Sequence, residues 1–265
     1  MKTYSVCCLF CLCFIACLLC GCGPTLKEYI GMSNNYVSQL STVSSPNVTI
    51  GDKDSASSNG SFVGGIIAST VNTVSNVAGY AVAREQEERL RGIVNPSAIA
   101  DIMVSGFNDG FANKTHLVYV QPDARPDLRV FLSVEDFGLY AESMLSTMNF
   151  YLISDIKLIY TPKLETIYHK KLSVQREASS VISDIMNLSV DAIQQMAATH
   201  PFMFHIYGFR QKMVDVSNVV DIVAGIVSMK AFFDLTDEDL AVIFEYMAYD
   251  AGQSTSIRLV DDIYR

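Results

Sequence analysis

Beyond residue 22 the sequence has no cysteine, and it has no tryptophan anywhere; Cys7, Cys8, Cys11, Cys13, Cys17, Cys20 and Cys22 are the full cysteine set. A disulfide framework would scatter its partners through the fold, and a zinc site would draw ligands from more than one element, so neither pattern is present in the body of the chain. Positive charge is also short. Lys+Arg 19 against Asp+Glu 28 gives a net charge of −9, the wrong sign for a protein that grips phosphate backbones. There is no glycine-rich phosphate loop, no serine nucleophile elbow and no paired-histidine zincin helix. His116, His169, His200 and His205 fall on separate elements, except that His200 and His205 are five apart, where a helical zinc pair uses four. These absences point to no cofactor, no metal, no nucleic-acid partner and no catalytic activity. The 50% hydrophobic content of the 265 residues nevertheless supports a sizeable core.

What is present starts at the N-terminus. Lys2 is a short positive region, residues 6–19 form an apolar stretch without an acid, and small residues follow at Gly21 and Gly23. This is the layout of a secretory signal peptide. The stretch ends in Leu19-Cys20-Gly21-Cys22, which resembles the lipobox of bacterial lipoproteins: an apolar residue, a variable residue and a small residue before a cysteine. The resemblance covers only the N-terminus. It implies cleavage between Gly21 and Cys22, with Cys22 diacylated on sulfur and its amino group open to a third chain. Cys20 departs from the usual small or aliphatic second position, and Cys17 after Phe14-Ile15-Ala16 is a weaker competing site. An ordinary signal peptide or an uncleaved anchor helix is the alternative.

A single acyl chain holds a protein only marginally at a bilayer, whereas two or three, at about 0.8 kcal/mol per buried CH₂, hold it stably. Loss of residues 1–21 removes Lys2 and no acid, so the net charge becomes −10, a surface that anionic headgroups repel. Gly23 is not the aspartate that resembles an inner-membrane retention signal, which favours the outer membrane.

Three segments are expected: a signal peptide over residues 1–21, a lipidated cysteine and flexible Ser/Asn/Thr/Gly-rich spacer over 22–61, and a single domain over 62–265. A short helix near residues 26–30 is compatible with the spacer. Residues 62–82 carry no charge, yet Ser69, Thr70, Asn72, Thr73, Ser75 and Asn76 would need partners in hydrocarbon. Ile67, Val71, Val74, Ala78 and Ala81 recur at helical spacing instead, and the helix is expected to reach Gly92 with Glu85–Arg89 and Glu87–Arg91 as supporting pairs. A membrane-inserting role for this run is the rival reading. Asn95-Pro96 then caps a helix with Ile99, Met103, Phe107 and Phe111 on one face.

After Lys114 the period changes to two. Residues 117–120 and 128–135 read as strands, Gly138 as a bulge or bend, and 150–160 as a strand that turns at 161–165 into another near 166–174. Helical spacing returns at Val190, Ile193, Met196 and Ala197, closed by His200-Pro201, and in a valine-rich stripe from Val216 to Val227. Thr236-Asp237-Glu238-Asp239 opens a last helix along Leu240, Ile243, Phe244 and Met247, which Gly252 is expected to kink or end. The fold class is α+β: an antiparallel sheet of about four strands, packed by N-terminal and C-terminal helices.

Among the acids, Glu135-Asp136 is the most tempting pair, but successive strand positions point to opposite faces unless a bulge realigns them. Lys170-Lys171 is too small a basic patch for nucleic acid, and the 11 methionines are core material or an adaptable partner surface. The function that follows is a non-catalytic, lipid-anchored bacterial envelope lipoprotein. It would be attached through Cys22, face the periplasm from the outer membrane, and bind another envelope protein as an accessory or assembly factor. A carrier of a lipid or other apolar ligand in a cavity between sheet and helices is the alternative, and a cryptic hydrolase a more distant one.

Overall fold

A computed structural model of the chain describes residues 24–43, 46–50, 74–121, 123–141, 146–215 and 232–265. Cys22 and the signal peptide, residues 62–73 of the uncharged run, and the stripe from Val216 to Val227 lie outside the described residues.

Thr25 opens the first element. Its hydroxyl accepts from the Glu28 amide while the Glu28 carboxylate accepts from the Thr25 amide, a reciprocal cap that starts α1 (Leu26–Met32). Strands β1 (Asn35–Val43) and β2 (Asn47–Ile50) follow. Two long helices come next, α2 (Val74–Ile93) and α3 (Pro96–Lys114). The Asn95 side chain accepts from the Ser97 and Ala98 amides, and Pro96 takes the first position of α3, where its missing N–H costs nothing. Then come β3 (Val118–Tyr119), β4 (Leu128–Ala141), β5 (Asn149–Tyr160) and β6 (Glu165–Glu177). Helices α4 (Ala178–Asn187), α5 (Val190–Ala197), α6 (Met203–Asp215) and α7 (Asp237–Tyr264) complete the order among the described residues.

The class is α+β, and β4, β5 and β6 form the expected antiparallel meander. The sheet itself is larger than four strands and mixed. Its path is β3-β1-β4-β5-β6, with β1 parallel to both β3 and β4, and β2 parallel to the far half of β4. Residues 26–32, 35–43 and 47–50, expected within a flexible spacer, form α1, β1 and β2, the last two as strands of this sheet. Composition misled here because Tyr36, Val37 and Ser38 are buried in succession, so β1 lacks the alternation that announces a half-exposed strand.

One sheet face is covered by helices. Leu128, Val130, Leu132 and Val134 of β4 and Ile156 and Leu158 of β5 are fully or almost fully buried, as are Phe107 and Phe111 of α3 and Leu259 of α7. Each such side chain contributes about 1.5–3 kcal/mol through its removal from water.

Three local expectations need correction. The bulge falls between Val134 and Asp136, not at Gly138, because Glu135 is the extra residue and turns outward to Lys171. In α2 the first ion pair is Arg84–Glu88 at 3.2 Å; Arg89 instead donates to the Phe233 and Leu235 carbonyls and pairs with Asp237, pinning the start of α7. Gly252 does not end α7, which continues to Tyr264.

Candidate functional site

The continuation of α7 through Gly252 has a packing cause. A Cβ there would collide with the Met103 carbonyl, one at Gly106 with the Tyr249 carbonyl, and one at Gly110 with the Ser256 hydroxyl. Glycine lets the backbones of α3 and α7 touch. That approach brings Ser105 and Asp109, on successive turns of α3, beside Tyr249 and Gln253 on successive turns of α7.

The turn between α5 and α6 closes the cluster. The His200 amide donates to the Met196 carbonyl, which ends α5, and the His200 carbonyl accepts from the Met203 amide, which begins α6. Its buried ring lies between the two α3 side chains, with Nδ1 2.7 Å from Ser105 Oγ and Nε2 2.8 Å from Asp109 Oδ2. Tyr249 donates to the same carboxylate oxygen at 2.6 Å, and Gln253 donates to the Tyr249 hydroxyl at 3.1 Å. Burial, and then the bond to Asp109, hold the Tyr249 phenol above its ordinary pKa, so it remains a donor. The rings of Phe202 and Tyr249 flank the imidazole at 6.2 and 5.3 Å.

A serine, a histidine and an aspartate in hydrogen-bond contact invite comparison with acyl-transfer triads, but the roles do not map. Such triads place serine on Nε2 and carboxylate on Nδ1, whereas the order here is reversed. Ser105 also sits in mid-helix, where backbone amides are committed along the helix and none is left to hold an oxyanion. What this arrangement does is lock one imidazole: in the neutral ring Nε2–H donates to Asp109 while Nδ1 accepts from Ser105.

The residues singled out from sequence are dispersed. Glu135 pairs with Lys171 at 2.5 Å, and Asp136 turns to the other side, buried, where Tyr151 donates to it at 3.4 Å. The two carboxylates do not share a site. Lys170 donates to Asp262, which also accepts from Tyr168, and these two bonds hold the Asp262 carboxyl below the ordinary carboxylate range. The small basic patch is thus spent on internal pairs. His116 meets the Ser33 carbonyl, His169 meets Asp155, and His205 meets Glu245. Among the described residues no three of His, Cys, Asp and Glu converge as a metal centre requires. The His200 cluster itself escaped notice because Ser105 and Asp109 carry no motif and their partner lies about ninety residues away in sequence. The one available signal was their four-residue spacing on a helix.

No family model matches the chain, and no curated protein matches it in sequence. Among solved structures, a Xanthomonas campestris protein of family DUF330 is 9% identical with a TM-score of 0.34, covering 88% of this chain and 89% of that one. Lipoprotein GNA1162 from Neisseria meningitidis is 12% identical with a TM-score of 0.19, covering 62% of this chain and 94% of that one. Likeness of that degree assigns neither a fold family nor an activity.

Proposed function

We propose that the protein is a non-catalytic bacterial envelope lipoprotein, held at a membrane by acyl chains on Cys22 and serving there as an accessory or assembly factor. The observation that carries the reading is the N-terminal order of Lys2, the acid-free apolar stretch and Leu19-Cys20-Gly21-Cys22. Two features of the fold support it. Helix α1 starts at Leu26, four positions after Cys22, so an anchor at that sulfur would lie close to the described fold. Among the described residues no helix is long and apolar enough to cross a membrane, and the reading depends on a thioether-linked lipid for attachment. The non-catalytic part rests on the lack of a recognisable catalytic motif in the sequence, and the His200 cluster, whose two ring nitrogens are both engaged by Ser105 and Asp109, agrees with it. Outer-membrane placement facing the periplasm rests on Gly23 after the cysteine.

The test is incorporation of labelled palmitate, with membrane fractionation, for the wild type and Cys22→Ala. Wild type should take up label and sediment with membranes, while the variant should take up none and keep its leader. Label and membrane retention in Cys22→Ala, or an intact mass with an unmodified residue 22, would overturn the reading.

A further inference from the structure

We infer that the end of the sheet bearing α1 is a membrane-contact face, resting in the headgroup region of the bilayer that holds the Cys22 acyl chains; this depends on the lipid-anchor reading above. Tyr119, Tyr36, Leu128, Tyr160 and Glu165 are paired across β3, β1, β4, β5 and β6 in one row, which marks a single end of the sheet. Around that row stand Leu164, 81% exposed, Val118, 63%, Met32, 50%, Tyr264, 47%, and Tyr119, 37%. Five of the nine exposed large hydrophobic side chains among the described residues are gathered there.

The details suit an interface between water and lipid. Leu164 adopts a left-handed conformation, φ 53°, that disfavours a side chain, yet it presents leucine to solvent where glycine would relieve the backbone. Lys163 lies over the Tyr29 ring at 5.5 Å and Lys27 over the Tyr264 ring at 5.8 Å; lysines with long stems beside tyrosines are the composition of headgroup belts. The nearby acids are occupied. Glu28 caps α1, Glu165 accepts from the Tyr29 hydroxyl at 2.5 Å, and Asp127 accepts from the Asn34 amide at 2.7 Å. Tyr29 is accordingly pushed up to about 12, first by its bond to Glu165. These bonds fix the acids without removing their charge; Lys27 and Lys163 are the cations at this end that oppose the repulsion a net charge of −10 imposes on the body without residues 1–21.

Reach selects the occupant. Three residues separate Cys22 from Leu26, and four steps of an extended chain at no more than about 3.6 Å each keep the start of α1 within roughly 14 Å of residue 22. A bilayer is therefore the surface this face meets before any protein partner.

The absence of cysteine after residue 22 makes the test clean. Leu164→Cys and Met32→Cys, and Phe204→Cys, at an exposed position of α6 away from that row, as a control, are made in the full chain, with Cys22 blocked by its own lipid. Each new thiol carries an environment-sensitive fluorophore, in vesicles of phosphatidylethanolamine and phosphatidylglycerol with or without brominated acyl chains. The probes at 164 and 32 should shift to the blue and be quenched severalfold more by brominated lipid than the probe at 204. Acylated protein, verified by intact mass, with aqueous probes at 164 and 32 would overturn the contact face while leaving the anchor standing. Unmodified Cys22 would overturn the anchor. In that case the same probes are read on a body tethered at residue 22 through a nickel-chelating lipid, where a blue shift supports the face and its absence overturns it.

Discussion

Tyrosine meets a carboxylate at two places in the protein, and the two use the pair in opposite ways. At the α3–α7 seam, Tyr249 and Asp109 are held with His200, Ser105 and Gln253 against glycine-lined backbone contact, and each polar group serves a neighbour inside the fold. At the α1 end, Tyr29 and Glu165 sit beside Leu164 and Met32, whose apolar surface is left in solvent. The seam spends its residues on stability, because an unsatisfied buried group would cost more than its hydrogen bond returns. The α1 end keeps exposed surface that burial would have put to use, together with a left-handed leucine. Such residues are expected where a surface serves something outside the chain.

That contrast can be broken at the seam first. Gly252→Leu should cost about 3 kcal/mol or prevent folding, since the added side chain must part α3 from α7; an unchanged urea midpoint would mean the seam is looser than its geometry. His200→Ala should cost about 2–3 kcal/mol by leaving Ser105 and Asp109 short of a partner, again by urea denaturation, and a loss below about 0.5 kcal/mol would remove the cluster from the stability account. At the α1 end the sign reverses. Leu164→Gly should raise stability in water by about 1 kcal/mol as backbone strain is relieved, and a loss would show that the leucine packs after all.

The smallest effect concerns Asp250 on α7. Burial raises its carboxyl pKa, and Arg176 at 3.0 Å only partly opposes the shift because that guanidinium is shared with Asp184 at 2.5 Å. A raised folded pKa means that Asp250 adds stability while protonated, and this is lost as pH rises through the folded value. Asp250→Asn should therefore raise the thermal midpoint slightly at neutral pH, with the gain fading below the ordinary carboxylate range. A lower midpoint at neutral pH would show that the ion pair outweighs burial.

Much of the helix and strand content was legible locally. The cap at Asn95, the stripe of Ile99, Met103, Phe107 and Phe111, the alternation from Leu128 to Val134 and the cap at Thr236 all recur in the structure. Each depends on neighbours a few residues away. Parallel pairing of β1 with β4 joins Tyr36 to Leu128 across more than ninety residues of chain, and no local pattern records a parallel partner. Gly252 reads as a break because glycine is a poor helix former, and only a second helix pressed against it turns the same atom deficit into a contact.

Sequence alone determined the lipobox-like tag, the acidic surface, the confinement of cysteine to the first 22 residues and the periods of the main elements, because these are properties of composition and near neighbours. Tertiary structure decided that residues 35–43 and 47–50 belong to the sheet, that His200 is locked by α3, and that exposed apolar side chains gather at the end that bears α1. Those outcomes depend on which distant surfaces exclude water together, a quantity no single stretch of chain contains.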